Sequence, residues 1–413
     1  MSEPLGLWQG VGVEIEYMIV DAGTLDVKPV ADQLLGMAGG ARHGTEGSDG
    51  VPDDVHRGPV SWSNELALHV IELKTAGPAP GFVGLSSLFQ KSVREITAIL
   101  RLVGARLLPG GMHPWMDPAT ELRLWPHEFN SVYRTFDRIF GCQGHGWANL
   151  QSTHVNLPFR GDAEFAKLHD AVRLVLPLIP ALAASSPCQD GALGPALDCR
   201  LLAYRENARA FPSVSGGVVP ERVGSTAEYH EVVLERIYAD LAPHDPEGVL
   251  RHEWVNARVA TARFERGSIE IRVIDTQECV PSDLAVAAAV VGAVRTMADS
   301  DGPLPADGSL RAVLDRTIHE GRQAVVDDGA YLERLGLPGR PATAGDVWAH
   351  LADFVLTDPT LPDLHVPLRL ILEQGPLAER IRRACGDAPS RAELREVYER
   401  LSGCVEKGEP FRG

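Results

Sequence analysis

The stretch Ser268–Asp275, S-I-E-I-R-V-I-D, alternates polar and apolar residues with a period of two. In an extended strand this puts Glu270 and Arg272 on one face and Ile269, Ile271 and Val273 on the other. A carboxylate beside a guanidinium can hold a cation and an anion together, as a metal–phosphate site requires. The same alternation recurs where Glu14 and Glu16 interleave with Val13, Ile15 and Tyr17, and where His154 and Asn156 interleave with Val155 and Leu157. Three strands thus each offer a polar pair on one face.

Each pair has its own chemistry. Residues i and i+2 of a strand lie about 6.7 Å apart, so Glu14 and Glu16 repel each other unless cations neutralise them. Mg²⁺, with Mn²⁺ as the alternative, takes such carboxylates together with substrate phosphates. A lone E-x-E is more often a solvated strand face. Glu65 and Glu72 have an odd spacing, which in an uninterrupted strand sends them to opposite faces. Either a bulge or bend intervenes, or only one of them joins a site. Glu72, set among apolar residues, is the stronger metal ligand, with an ordinary salt bridge as the competing role. His154 offers an imidazole to a divalent ion, although a lone histidine is more often a satisfied core residue. Asn156 could orient substrate or nucleotide. Glu270 is a further metal candidate, and Arg272 could clamp a phosphate or carboxylate through its planar fork. A surface salt bridge is the plainer role for that pair. Arg200 and Arg205 are anion-binding candidates, weighed against solvated loop arginines. His113, after Gly110-Gly111 and before Pro114, could face a pocket, but a structural role weighs at least as much. No nucleophile elbow, Walker-type loop or GxGxxG occurs.

The elements that must carry these residues follow from periodicity and breakers. Residues 12–20, 64–75 and 150–157 read as strands, and 255–274 as a hairpin turning near Arg266-Gly267. Residues 39–59, rich in Gly and Asp, read as a mobile loop. Helical spacing runs from Leu85 to Val103, and residues 125–140, 226–241 and 284–297 also read as helices. Residues 165–184 form an apolar helix that Pro177 and Pro180 kink or split. Residues 185–220, with Arg200, Arg205 and Arg209, read as a long functional loop region. The linker-like stretch 299–308 divides residues 1–300, which carry the polar pairs, from a helical C-terminal region, 301–413, without a good strand. The fold class is α+β, a sheet with polar pairs on one face and helices on its back.

Composition sets outer bounds. The chain of 413 residues is 44% apolar and 23% charged, within the usual range for a globular protein. A formal net charge of -17 argues against nonspecific nucleic-acid binding, which needs a basic surface. No apolar run approaches the roughly 20 residues of a membrane span, and the first ten residues lack a signal-peptide pattern. Six cysteines without a CxxC pair read as reduced thiols, so the expected address is cytoplasmic.

Five motifs in order, G-V-E-I-E-Y, V-I-E-L-K-T, G-M-H-P, S-T-H-V-N-L and I-E-I-R-V-I-D, give residues 8–300 a resemblance to the glutamate–cysteine ligase family type 2. That family includes bacterial carboxylate–amine ligases and belongs to the glutamine-synthetase-like superfamily. The resemblance implies a curved antiparallel sheet whose concave face binds ATP and two or more Mg²⁺ ions. It implies Glu14, Glu16, Glu72, His154 and Glu270 as metal ligands, and Arg272 as the partner of Glu270 in a late E-x-R pair. Glu65, Arg200 and Arg205 are looser transfers. The sequence departs from the family in E-I-E for three acidic residues, in G-M-H-P for G-T-H-P, and in A-A-S-S-P-C-Q-D-G, which alter the outer ligands and the substrate pocket. The implied activity is an ATP-dependent ligase joining a carboxylate, with glutamate the expected acid, to an amine through an acyl phosphate. The alternatives are a metal-dependent amide hydrolase and a non-catalytic nucleotide- or amino-acid-binding protein. The expected partners are small molecules and a second copy of the chain in a homo-oligomer.

Overall fold

The computed structural model describes residues 4–39, 50–302 and 304–413. Its strands in chain order begin with β1 (Gly12–Asp21), β2 (Asp54–Arg57), β3 (Val60–Asn64), β4 (Val70–Thr75) and β5 (Ala105–Leu108). They continue with β6 (Ser152–Pro158), β7 (Cys188–Gln189), β8 (Ala192–Leu193), β9 (Ala260–Arg263) and β10 (Ser268–Asp275). Eight of them form one antiparallel sheet in the order β2-β3-β4-β1-β6-β10-β9, with β5 beside the second half of β1. Strands β7 and β8 make a separate small hairpin. The architecture is α+β, an antiparallel sheet with helices packed on its apolar face.

Period-two alternation decides the faces. Val13, Ile15 and Tyr17 are fully buried against a core that also holds the helices Leu85–Leu102, Gly161–Val175 and Val280–Asp299. Glu14 and Glu16 therefore face the opposite side. That side changes character along β1, because Met18 and Val20 follow on it and are apolar. The C-terminal helices Leu377–Cys385 and Arg391–Lys407 cover them, through Leu377, Ile381, Leu394 and Leu401. One strand face is thus polar at one end and capped by helices at the other.

Several local expectations need correction. Residues 64–75 are not one strand, since β3 stops at Asn64 and β4 starts at Val70. The loop expected over 39–59 contains β2, and its residues 40–49 lie outside those described. The helix expected over 125–140 begins only at Asn130, after Phe129 with φ +65°. The region 185–220 is no continuous loop: Cys199–Glu206 is a helix capped by the Asp198 side chain, which accepts from Leu201 N. The C-terminal region carries a two-stranded pairing, β11 (Val325–Val326) with β12 (Ala342–Thr343). The helix Val280–Asp299 is long and apolar enough to cross a membrane, but 78% of its most apolar window is buried inside the protein. It is a core helix. The proline-split helix and the Gly267 turn, at φ +61°, form where the sequence placed them.

A buried ion pair ties the C-terminal region to the end of β10. Arg380 Nη1 donates to Glu278 Oε1 at 2.7 Å and both side chains are fully buried. Phe411 N donates to the same oxygen at 3.2 Å. Removing one partner of such a pair leaves an uncompensated buried charge. Arg380→Ala is expected to lower unfolding stability by about 3–5 kcal/mol in urea titration. A loss below about 1 kcal/mol would remove this pair from its anchoring role.

Candidate active site

Three rows of residues cross the polar face of the sheet. Ser63, Glu72 and Glu16 are register partners across β3, β4 and β1. Ser61, Lys74, Glu14 and His154 form the second row, and Gly12, Asn156, Glu270 and Thr261 the third, ending on β9. Gly12 matters because a Cβ there would lie 3.0 Å from Asn156 Cβ. Of these, Ser63, Glu72, Glu16, Lys74, Glu14, His154 and Glu270 line a cleft of about 460 Å³, a size suited to small-molecule substrates.

The break between β3 and β4 resolves the odd spacing of Glu65 and Glu72. Glu65 sits in the connection just after β3 and turns back toward β4, so both carboxylates reach the same cluster. Ligand atoms of Glu14, Glu72 and His154 all lie within 4.8 Å of one another, as do those of Glu16, Glu65 and Glu72. Glu72 belongs to both groups. Ser152 N donates to Glu16 Oε2 at 2.7 Å, and Ser63 Oγ donates to Glu72 Oε1 at 2.8 Å, so both carboxylates are fixed in place. His154 Nδ1 lies 3.1 Å from Glu14 Oε2, and its Nε2 lies 2.8 Å from Ser152 Oγ.

The charges are strongly perturbed. Burial pushes Glu65 well above the usual carboxylate range, and the charges of Glu16 and Glu72 push it further. Burial, then the charge of Glu14, raises Glu72 to about 7 against the pull of Lys74 and His154. Burial opposes charge on Glu14 too, but the hydrogen bond and charge of His154, with Arg266 and Lys74, hold it well below its ordinary value. His154 rises to about 9: burial disfavours its charge, and the hydrogen bond to Glu14 with the charges of Glu16 and Glu270 overcomes that. For Glu270 burial is again opposed, here by Arg272 and Arg263, and the net shift is downward. Carboxylates crowded closely enough to keep protons at neutral pH are a donor set that a divalent cation fits. The residues present therefore suit a metal, and Glu14, Glu16, Glu65, Glu72 and His154 are the ones that would hold it.

Cations already stand around this cluster. Arg272 Nε donates to Glu270 Oε1 at 2.6 Å and Arg263 Nη1 to Glu270 Oε2 at 2.8 Å. Arg266 Nη1 reaches Glu14 Oε1 at 3.2 Å, and Lys74 Nζ lies 3.2 Å from Glu72 Oε1. Glu270, expected as a metal ligand, is thus held between two arginines and stands outside both ligand groups, with His154 Nδ1 at 4.0 Å.

Other sequence candidates land elsewhere. Asn156 donates to Glu14 Oε1 at 3.2 Å and so positions a carboxylate rather than lining the cleft. Arg200 borders the cleft, but its Nε is taken by Asp275 and its Nη2 by the Val273 carbonyl at 2.7 Å, so it braces the strand that carries Arg272. Arg205 points away and pairs with Asp315 at 2.9 Å on the surface. His113 is structural: its Nε2 bonds the Leu25 carbonyl at 2.8 Å. The sequence reading missed Lys74, Arg263, Arg266 and the aromatic wall of Tyr133, Trp147 and Trp254. Lys74 carried a readable signal, since it stands two residues from Glu72 in V-I-E-L-K-T.

The family model described as glutamate–cysteine ligase family 2 matches residues 10–333. An uncharacterized protein of Archaeoglobus fulgidus is 31% identical over 401 residues, covering 97% of this chain and all of that protein. A putative glutamate–cysteine ligase of Rubrobacter xylanophilus is 26% identical over 222 residues, 53% of each chain. Among solved structures, the glutamate–cysteine ligase of Francisella tularensis in complex with AMP aligns with TM-score 0.57 at 14% identity, over 98% of this chain and 90% of that one. A bifunctional glutathione synthetase of Pasteurella multocida aligns with TM-score 0.54 at 14% identity, over 96% of this chain and 52% of that one. The last two likenesses concern the fold.

The perturbed groups set a pH dependence. Glu72 and His154 both have folded values above their ordinary ones, about 7 against 4.5 and about 9 against 6.5. Their contribution to stability is full below the ordinary values and is lost as pH rises through the folded ones. Metal-free protein should therefore lose thermal stability from pH 6 to pH 9, at up to about 1.4 kcal/mol per pH unit for each proton held. Mn²⁺ should raise the melting temperature most at the alkaline end, where it no longer competes with protons. A flat metal-free profile, or a Mn²⁺ shift largest at pH 6, would contradict the clustering.

Proposed function

The chain belongs to glutamate–cysteine ligase family 2, and we propose that it is an ATP-dependent carboxylate–amine ligase forming a γ-glutamyl-type amide through an acyl phosphate. The observation that carries this reading is Glu72, shared by a Glu14–Glu72–His154 group and a Glu16–Glu65–Glu72 group in the cleft beside the Arg263–Glu270–Arg272 set. The AMP held by the Francisella enzyme supports an adenine nucleotide as co-substrate.

In the reaction, the substrate carboxylate oxygen attacks the γ-phosphorus of ATP and ADP leaves. The amine then attacks the acyl carbon and inorganic phosphate departs with the C–O bond electrons. Divalent metal, Mg²⁺ or Mn²⁺, would supply charge neutralisation between phosphate oxygens and the Glu14, Glu16, Glu65, Glu72 and His154 donors. The residues of the chain do the rest. Arg272 and Arg263, already oriented by Glu270, face developing negative charge without reorganising when it appears. The bulge in β10 between Ile271 and Ile274, braced by Arg200, fixes the direction of Arg272. Tyr133, Trp147 and Trp254 give the cleft a wall that displaces water, which protects an acyl phosphate from hydrolysis. Ligase membership of the family sets aside the hydrolase and the non-catalytic binder. Six free thiols, five of them buried, support a reducing cytoplasmic compartment.

The test is to incubate the protein with Mg·ATP, glutamate and a panel of amines, following ADP and the mass of new amides. Amine-dependent ADP release with an amide product is expected. Glu72→Gln should lower kcat/KM at least about a hundredfold with an unchanged circular dichroism spectrum. Amide cleavage indifferent to ATP, or full activity in the variant, would overturn the reading.

A further inference from the structure

On the far side of the molecule from the cleft, a second cavity of about 270 Å³ opens between the N-terminal segment, the 80–83 turn, the helix Val280–Asp299 and the stretch 354–361. Trp8, Phe82, Val83, Val291, Phe354 and Leu361 give it an apolar lining. Two charged groups also line it, Arg295 and Asp358.

Arg295 is placed in an unusual way. Its guanidinium carbon lies 5.9 Å from the ring centre of Trp8 and 6.0 Å from that of Phe354, and no carboxylate lies within ion-pair distance among the described residues. Two rings hold the exposed cation at the rim of an apolar hollow, and its only carboxylate influence among the described residues is the more distant Asp299, which is itself paired with Lys167. Gly292, one turn earlier on the same helix, makes this possible: a Cβ there would come within 2.5 Å of Phe354 Cδ1, so any side chain would push the ring away. Asp358 is a firm anion, because hydrogen bonds from the Thr360 hydroxyl and amide hold it below its ordinary value. Trp8 adopts φ +65°, a left-handed conformation costly for a bulky residue, in the turn that sets its ring at the cavity rim. Phe354 at 42% and Val83 at 65% exposure leave apolar surface open to solvent there.

A simple hydrophobe would leave Arg295 and Asp358 unused, and a simple carboxylate would meet Asp358. A molecule with a carboxylate, an ammonium and an apolar body satisfies all three features. We propose that this cavity is an effector site for a free α-amino acid with an apolar side chain, its carboxylate on Arg295, its ammonium on Asp358 and its side chain against Trp8 and Phe354. The cavity has the volume for one such molecule and for little more. Its floor includes Val11, just before β1, and Leu157, within β6, the strands that carry Glu14 and His154 on their opposite face. Occupancy would therefore bear on the catalytic strands from behind.

The proposal is tested by isothermal titration of the full chain with L-leucine and L-phenylalanine, in parallel with 4-methylpentanoate and isoamylamine. The last two are leucine without its ammonium and without its carboxylate. Saturable binding of at least one amino acid, with Kd below about 1 mM, is expected. Each truncated analogue should bind at least about tenfold more weakly, as should the amino acid to Arg295→Gln and to Asp358→Asn. Arg272→Gln, altered in the catalytic cleft, should leave this binding unchanged, which separates the effector site from the ligase site. Absence of binding, affinity retained in Arg295→Gln, equal binding of 4-methylpentanoate, or binding lost only in Arg272→Gln would each overturn the proposal.

Discussion

Mutual repulsion among carboxylates on one face of a sheet is the constraint on which this protein is organised. Glu14, Glu16, Glu65, Glu72 and Glu270 all border a single cleft, and isolated there they would oppose folding. The chain answers with fixed cations. Lys74 lies among Glu72 and Asp54, His154 between Glu14 and Glu16, and Arg263 and Arg272 on either side of Glu270. Neutralisation is uneven. Glu270 and Glu14 remain ionised, while Glu65 and Glu72 are driven toward the protonated form. The residual imbalance falls on the two groups that meet at Glu72, the place where a divalent cation brings most relief.

Holding such a set requires a scaffold that does not yield. Behind the polar face, Tyr17 donates to Asp283 Oδ2 and Thr153 to Asp283 Oδ1, each at 2.9 Å, so β1 and β6 are pinned to the start of the core helix. Asp275, at the end of β10, accepts from Arg200, from Ser185 N at 2.8 Å and from Ser186 Oγ at 2.8 Å. Gly111 has to lack a side chain beside it, since a Cβ would come within 2.5 Å of Asp275 Cγ. These buried polar groups are satisfied by one another, and together they fix both the depth and the direction of the cleft-facing side chains.

Strand periodicity made most of the site readable in advance. Glu14, Glu16, His154, Glu270 and Arg272 converge because each pair obeys a period of two on strands that are neighbours in the sheet. Lys74 obeys the same rule on β4, two residues from Glu72 on the same face. Glu65 was ambiguous for a different reason: a hairpin connection, which carries no periodicity, folds it back on Glu72. Arg263 and Arg266 lie at a strand end and in a short 3₁₀ turn, where pattern is silent and only tertiary placement aims the side chain. Arg200 and Arg205 share a helix whose breaker-rich surroundings masked it, and that helix sends one toward Asp275 and the other to solvent.

The C-terminal helices are a consequence of the same strand face. Once β1 alternates, Glu14 and Glu16 lead directly to Met18 and Val20, and an apolar half-strand beside a charged one must be covered. Leu377, Ile381, Leu394 and Leu401 cover it, and Arg380 reaches through to Glu278, three residues beyond the end of β10. The helical region thereby grips the strand that carries Glu270 and Arg272 as well as the strand that carries Glu14 and Glu16. The helical region therefore braces both strands from outside the cleft and lends the cleft no side chain.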